Sequence, residues 1–341
     1  MQRYLVCSVL LLICVLGATA APANYQVSDV GAMLPLPNSV AQGINNSGDI
    51  VGYSYSDDGN EFRAFLISKG KVVDIGAAFP SPVNTFGQAI NDRGDVVGWY
   101  TDATNGAQLG FLYQNGAITE LGTLGGPNSF PVAINNSGEV TGNSGMQSGE
   151  QRAFLYESGH LTDLGIPAGF IASIASGIND RGEVVGYLGS SDGLRGFIYK
   201  RGTMTLLPSL DANAPWSTAL GINDRGVIVG ESKVGDRFYA VIFEEDGLVN
   251  LGSRISGSVD SAGLRINNRG QVVGNLADAN NPVQHGFFYY KGTLIDLNEE
   301  IDPSSGWTLM DPYGINDRGE IVGVGLHDGR QRAFLLTQRV P

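Results

Sequence analysis

The sequence predicts an all-β fold, a seven-bladed β-propeller of four-stranded blades, and three observations carry that prediction. Asn-x-x-Gly, followed by a short β-branched pair and another glycine, recurs at Asn45, Asn91, Asn135, Asn179, Asn223, Asn267 and Asn316. Consecutive spacings are 46, 44, 44, 44, 44 and 49 residues, and a period in the forties built from strand-like segments marks a repeat architecture. The third observation is the phase of the array. Residues 26–31, Gln-Val-Ser-Asp-Val-Gly, match the fourth strand of a unit, whereas the last unit stops after a third strand, Ala333-Phe334-Leu335-Leu336. An open solenoid needs capped ends and has no use for this offset. A ring in which the N-terminal strand completes the last blade does, because sharing one blade between the termini removes the seam.

The second unit shows the four strands in order. Gly87-Gln88-Ala89-Ile90 leads into Asn91-Asp92-Arg93-Gly94, where Asn at the first position and Gly at the fourth suit a tight turn ending in a left-handed residue. Val96-Val97-Gly98-Trp99-Tyr100 leaves that turn as a β-branched and aromatic strand. Gly110-Phe111-Leu112-Tyr113 is the third strand, ended by Asn115-Gly116, and Ile118-Thr119-Glu120-Leu121 alternates as a half-exposed fourth. A small residue followed by an aromatic marks the third strand in six units: Ala64-Phe65, Gly110-Phe111, Ala153-Phe154, Gly196-Phe197, Gly286-Phe287 and Ala333-Phe334, with Ala240-Val241 the exception.

Residues 1–20 carry one basic residue, Arg3, then an apolar run and Ala18-Thr19-Ala20. These are the parts of a secretory signal peptide cleaved after Ala20, which predicts a secreted or periplasmic protein with no membrane association after cleavage. Cys7 and Cys14 leave with it, so the expected mature chain holds no cysteine and depends on its core alone. Loss of Arg3 takes 21 basic residues to 20 against 34 acidic ones, moving the formal charge from −13 to −14. A dispersed acidic surface of this kind argues against nucleic acid and anionic membranes as partners. One propeller domain is expected over 21–341, with a closing strand at 25–31, repeats beginning near 39, 85, 129, 173, 217, 261 and 310, and a monomeric state.

The units resemble the bacterial extracellular HAF repeats, named for a His-Ala-Phe triplet in the third strand. That triplet stands here as Arg63-Ala64-Phe65, Arg152-Ala153-Phe154 and Arg332-Ala333-Phe334, with His285-Gly286-Phe287 nearest in its first residue. The family's Leu-Gly-Thr-Leu-Gly-Gly stretch begins at Leu121, and its Gly-Ile-Asn-Asp-Arg-Gly turn begins at Gly177. The resemblance spans nearly all of the expected mature chain. It implies an exported repeat protein of unassigned function and brings no catalytic or ligand residues with it.

Candidate chemistry is sparse. The Asn-x-x-Gly loops lack the alternating oxygen ligands of a calcium loop, and Arg93, Arg181, Arg225, Arg269 and Arg318 inside them are poor neighbours for a cation; they read as hairpin turns. Arg63, Arg152, Arg195 and Arg332 precede the third-strand aromatic; repeated at one position per blade they could line a groove for an acidic ligand, but the favoured reading lays each stem on a neighbouring ring and pairs it with an acid of the next blade. His160, His285 and His327 fall in different units, with His160 opening on the opposite face from the other two, a poor basis for a three-His zinc site. No metal, cofactor or catalytic residue is assigned.

Function is expected where the units differ. The blade-to-blade connections are read as containing Phe79, Phe86, Phe130, Phe170, Trp216, Trp307 and Tyr313, and aromatic platforms beside acids suit a sugar or peptide. Arg265 occupies a position that is Gly or Ala in the other six units and is expected to project toward the channel. The candidate ligand set is therefore Trp216, Trp307, Tyr313, Phe86, Phe130, Phe170 and Arg265. The leading reading is a binding module for a glycan or an extracellular protein. One alternative is a polysaccharide hydrolase or lyase using the carboxylates of the longest connection, Glu299, Glu300, Asp302 and Asp311. The other is a surface or matrix protein without a discrete site.

Overall fold

The computed structural model describes residues 24–79, 83–244, 247–252, 258–278 and 281–339. The expected signal segment, with Cys7 and Cys14, lies outside the described residues, and among those described no helix is long and apolar enough to cross a membrane. Strands form seven antiparallel sheets of four, in a ring. Six blades use four consecutive strands, and the seventh combines Trp307–Ile315, Ile321–His327 and Arg330–Gln338 with the first strand of the chain, Tyr25–Asp29. The closing register runs from Tyr25 opposite Gln338 to Asp29 opposite Phe334. The predicted seven-bladed propeller and its closure by the N-terminal strand are both borne out. Innermost strands begin at Asn38, Thr85, Ser129, Ala172, Ser217, Ser258 and Trp307. The last starts earlier than expected because Trp307 and Thr308 extend the pairing to His327 and Leu326.

Each repeated residue type has a packing reason. The glycine after the β-branched pair faces the third-strand aromatic: Gly98 lies opposite Phe111, Gly186 opposite Phe197, Gly323 opposite Phe334. A Cβ on Gly98 would lie 2.1 Å from the Phe86 carbonyl oxygen and 2.7 Å from Phe111 Cζ. The ring therefore folds over the glycine, and only a hydrogen fits beneath it. Phe111, Phe154, Phe197, Phe287 and Phe334 are wholly buried in this way, each contributing on the order of 2–3 kcal/mol by area transfer. The small residue before the aromatic presses against the next blade. Its backbone N–H donates to a buried hydroxyl on that blade's innermost strand: Ala64 to Thr85 Oγ1 at 2.9 Å, Gly110 to Ser129 Oγ at 2.9 Å, Ala153 to Ser173 Oγ at 3.0 Å, and Ala333 to Ser39 Oγ at 3.0 Å across the closure.

The Asn-x-x-Gly turns join the first strand of each blade to the second and converge on one mouth of the channel. In the fourth blade Gly182 sits at φ +71°, a left-handed conformation that favours glycine, and its N–H donates to the Asn179 carbonyl at 3.0 Å. The asparagines do more than turn the chain. Asn45 Nδ2 donates to Asn91 O, Asn91 to Asn135, Asn135 to Asn179, Asn179 to Asn223, Asn223 to Asn267, Asn267 to Asn316, and Asn316 back to Asn45, at 2.8–3.1 Å. This is a closed belt of hydrogen bonds around the pore.

A second belt runs outside the first. The backbone N–H of each next residue donates to the side-chain Oδ1 of its counterpart one blade on, through Asn46, Asp92, Asn136, Asp180, Asp224, Asn268 and Asp317. Asn and Asp alternate here so that each Asn amide bridges the two flanking carboxylates. Seven is odd, so the alternation must break once, and Asp180 and Asp224 are left adjacent without a bridging amide.

Candidate functional site

Antiparallel order places the Asn-x-x-Gly turns and the third-to-fourth turns on one face. The second-to-third loops and the blade-to-blade connections lie on the other, here called the loop face. The expected ligand set divides between the connections and the channel wall. Only Phe170 and Trp216 lie in connections. Phe86, Phe130, Trp307 and Tyr313, expected there, belong to innermost strands, because pairing with the second strand extends past them: Phe86 opposite Trp99, Phe130 opposite Asn143, Trp307 opposite His327.

The strand residues are occupied by one another. Phe86 stacks on Trp99 with centroids 3.8 Å apart and meets Phe62 at 4.7 Å and Tyr53 at 5.2 Å, while Phe130 approaches Trp99 edge-on at 5.6 Å. Trp307 stacks on His327 at 4.5 Å and 7°. Phe79 packs on Tyr100 and Phe111 in the core between the first and second blades. Trp99, on a second strand and not in a connection, joins this group, in which Phe86 touches the three rings of Tyr53, Phe62 and Trp99.

Arg265 and Tyr313 sit on the channel wall. Every innermost strand carries a register irregularity just before its Asn-x-x-Gly turn, and Arg265 follows the one in the sixth blade. Its Nη1 donates to Leu264 O at 2.8 Å and across to Leu220 O of the fifth blade at 3.2 Å. Burial pulls the Arg265 pKa down, and burial with the Asp311 charge pushes that of Tyr313 up.

Arg63, Arg152 and Arg332, and His285 at the same position, meet acids of their own blade and not of the next, while Arg195 makes no ion pair among the described residues. Arg63 meets Asp74 at 2.9 Å, Arg152 meets Asp163 at 3.3 Å, Arg332 meets Asp29 at 2.9 Å, and His285 Nδ1 meets Asp296 at 2.6 Å. The reason is register, since the fourth-strand acid lies directly opposite the aromatic two residues further on. Of the four acids expected in the long connection, three are engaged, and Asp311 lies on the innermost strand Trp307–Ile315. Asp302 accepts from Ser304 N at 2.8 Å, Asp311 from Asn275 Nδ2 at 2.7 Å, and Glu300 from Asn24 Nδ2.

Phe170 and Trp216 come together. The connections entering the fourth and fifth blades bring them to one cleft of about 640 Å³ on the loop face. Trp216 is half-buried, edge-on to Phe238 at 4.9 Å, and lies over Gly193, where a Cβ would meet its Cδ1 at 2.8 Å. Gly193 at φ +129° lets the hairpin of the fourth blade pass under the indole. Asp192 and Arg195 from that hairpin, and Asp211, Asn213 and Lys233, complete the polar wall. Two aromatic rings beside both signs of charge can stack on a ring-shaped ligand and orient its polar substituents.

No protein-family model and no curated protein matches the chain. Solved structures do match. The β-propeller domain of the Trilobed protease from Pyrococcus furiosus, described as having an open velcro topology, aligns with a TM-score of 0.59 at 10% identity over 89% of this chain and 96% of that one. A puromycin-hydrolyzing peptidase from Mycobacterium tuberculosis gives 0.61 at 11% identity, over 94% of this chain and 54% of that one. TolB from Acinetobacter baumannii gives 0.50 at 13% identity, over 86% and 64%. The present chain thus spans only part of the last two. At such identities the likeness is one of fold, and it places the chain in the class of β-propellers.

Proposed function

We propose that this chain is an exported repeat protein of the HAF type that acts as a binding module, with a glycan seated in the loop-face cleft between the fourth and fifth blades. The observation that carries this reading is the convergence of Phe170 and Trp216, from two separate connections, on one cleft with charged and amide side chains around its rim. The signal-like segment, residues 1–20, supports export, and the third-strand triplets support the family. Phe86 and Trp307 spend their faces on Trp99 and His327, which favours this cleft as the glycan platform. The hydrolase alternative is less well supported, because three of the four acids it would use, Glu300, Asp302 and Asp311, cap a turn or hold neighbouring amides.

The test is a glycan and cell-wall fragment array on the chain from Ala21, repeated with Trp216→Ala and Trp307→Ala. Binding should disappear in the Trp216 variant with little change in melting temperature and persist in the Trp307 variant. The reverse pattern, or silence across the array, overturns the proposal.

A further inference from the structure

Resting on that reading of the cleft, we infer that its ligand carries a carboxylate, as a uronate-type sugar residue does, and that Arg195 receives it. The repeat itself supplies the comparison. In five blades an arginine or histidine stands two residues before the position of the third-strand aromatic, and in four of them it meets an acid on the fourth strand: Arg63 with Asp74, Arg152 with Asp163, His285 with Asp296, Arg332 with Asp29. In the fourth blade the residue opposite Phe197 is Leu206, which is 41% exposed. Arg195 makes no ion pair among the described residues, and its Nε is buried without a hydrogen-bond partner.

Arg152 Nε is likewise without a partner although Arg152 meets Asp163, so what sets Arg195 apart is the missing acid: the exchange of acid for leucine leaves its guanidinium with no carboxylate to meet. The two acids that line the same cleft form no ion pair with it. Asp211 accepts from Asn213 N at 2.9 Å and Ala214 N at 3.3 Å, and Asp192 from Ser191 Oγ at 3.1 Å. Guanidinium geometry matches a planar carboxylate through two parallel hydrogen bonds. Trp216 and Phe170 stand on the same cleft to take the apolar face of the sugar, and a volume of about 640 Å³ falls within the roughly 300–1,000 Å³ of small-molecule sites.

The experiment compares trigalacturonate with its methyl ester, which keeps the rings and removes the charge, by titration calorimetry on the chain from Ala21. The expected result is about 10-fold tighter binding of the acid, since a hydrogen bond to a charged group is worth at least a factor of that order. Leu206→Asp installs the acid that the other blades carry, and it should erase the preference while leaving the melting temperature unchanged or raised. Equal affinity for acid and ester, with both still lost in Trp216→Ala, overturns the carboxylate inference and leaves the glycan cleft standing. A preference that survives Leu206→Asp, or binding of neither trisaccharide, overturns the inference as well. Binding of both that is indifferent to Trp216→Ala overturns the cleft itself.

Discussion

Replacing Asn179 by Ala cuts the inner belt at one point, and the cost follows from the bonds removed. Asn179 is 3% exposed. Its Nδ2 donates to Asn223 O at 3.1 Å and Glu183 Oε2 at 2.8 Å, and its Oδ1 accepts from Arg181 N at 3.1 Å and Glu183 N at 3.0 Å. At about 1 kcal/mol net for each bond, the loss is about 4 kcal/mol, a large share of the roughly 5–15 kcal/mol that holds a typical domain. With an unfolding entropy of about 2.1 cal/mol/K per residue, a chain of 341 residues should melt about 6 °C lower. The fifth blade supplies an internal control. Val227 stands where Glu183 does, so Asn223 makes only three such bonds, to Asn267 O and from Arg225 N and Val227 N. Asn223→Ala should therefore cost about 1 kcal/mol less. Differential scanning calorimetry on both variants decides it. A shift for Asn179→Ala below about 1 °C, or a larger shift for Asn223→Ala, refutes the belt as a source of stability.

Three further outcomes test other parts of the account. Asn268→Asp removes the amide that bridges Asp224 at 2.6 Å and Asp317 at 3.3 Å and puts a fourth carboxylate in an unbroken row. It should cost about 1–2 kcal/mol at low salt and recover in 0.5 M salt, where the Debye length is only about 4 Å; a loss indifferent to salt contradicts the repulsion. Burial alone would raise the Glu183 pKa, but hydrogen bonds from Arg181, Lys200 and Asn179 bring it down to about 2 from 4.5. A depressed folded-state value gives stability that is present above about 4.5 and lost as pH falls toward about 2. Melting curves of Glu183→Gln should therefore flatten over that window, and an acid limb identical to wild type sinks the assignment. Deleting residues 25–31 takes away the fourth strand of the last blade and the partner of Arg332, leaving Arg330–Gln338 as an open edge. The truncated chain should melt lower and self-associate; a monomer of unchanged melting temperature, checked by light scattering, contradicts closure by this strand.

The architecture was legible because period and phase are properties of the chain. The fourth-strand likeness of residues 26–31 predicts that this segment completes the last blade, without reference to any side-chain contact, and the register that realises it runs from Tyr25 opposite Gln338 to Asp29 opposite Phe334. The belts were not legible. Asn at each turn suits a hairpin in isolation, and its bond to the next blade exists only once the ring closes and carries Asn316 to Asn45. The candidate site was legible in part. The sequence offers Trp216 and Phe170 only as members of one set of connection aromatics; Phe86, Phe130, Trp307 and Tyr313 of that set fall on innermost strands, because pairing with the second strand runs further than the turn signals suggest. The direction of the third-strand arginines was missed for want of the register, although Leu206 at a position held by Asp in Asp74, Asp163 and Asp296 was visible in the sequence all along.

The central claim is that ligand sits in the loop-face cleft and not in the channel. Hydrogen–deuterium exchange with the best array ligand tests it directly. Exchange should slow in peptides covering 165–172, 190–196 and 209–218, with the rest of the innermost strands unchanged. Protection confined to Thr85–Ile90, Ser129–Ile134 and Trp307–Ile315 would contradict it and return the site to the channel wall around Arg265 and Tyr313.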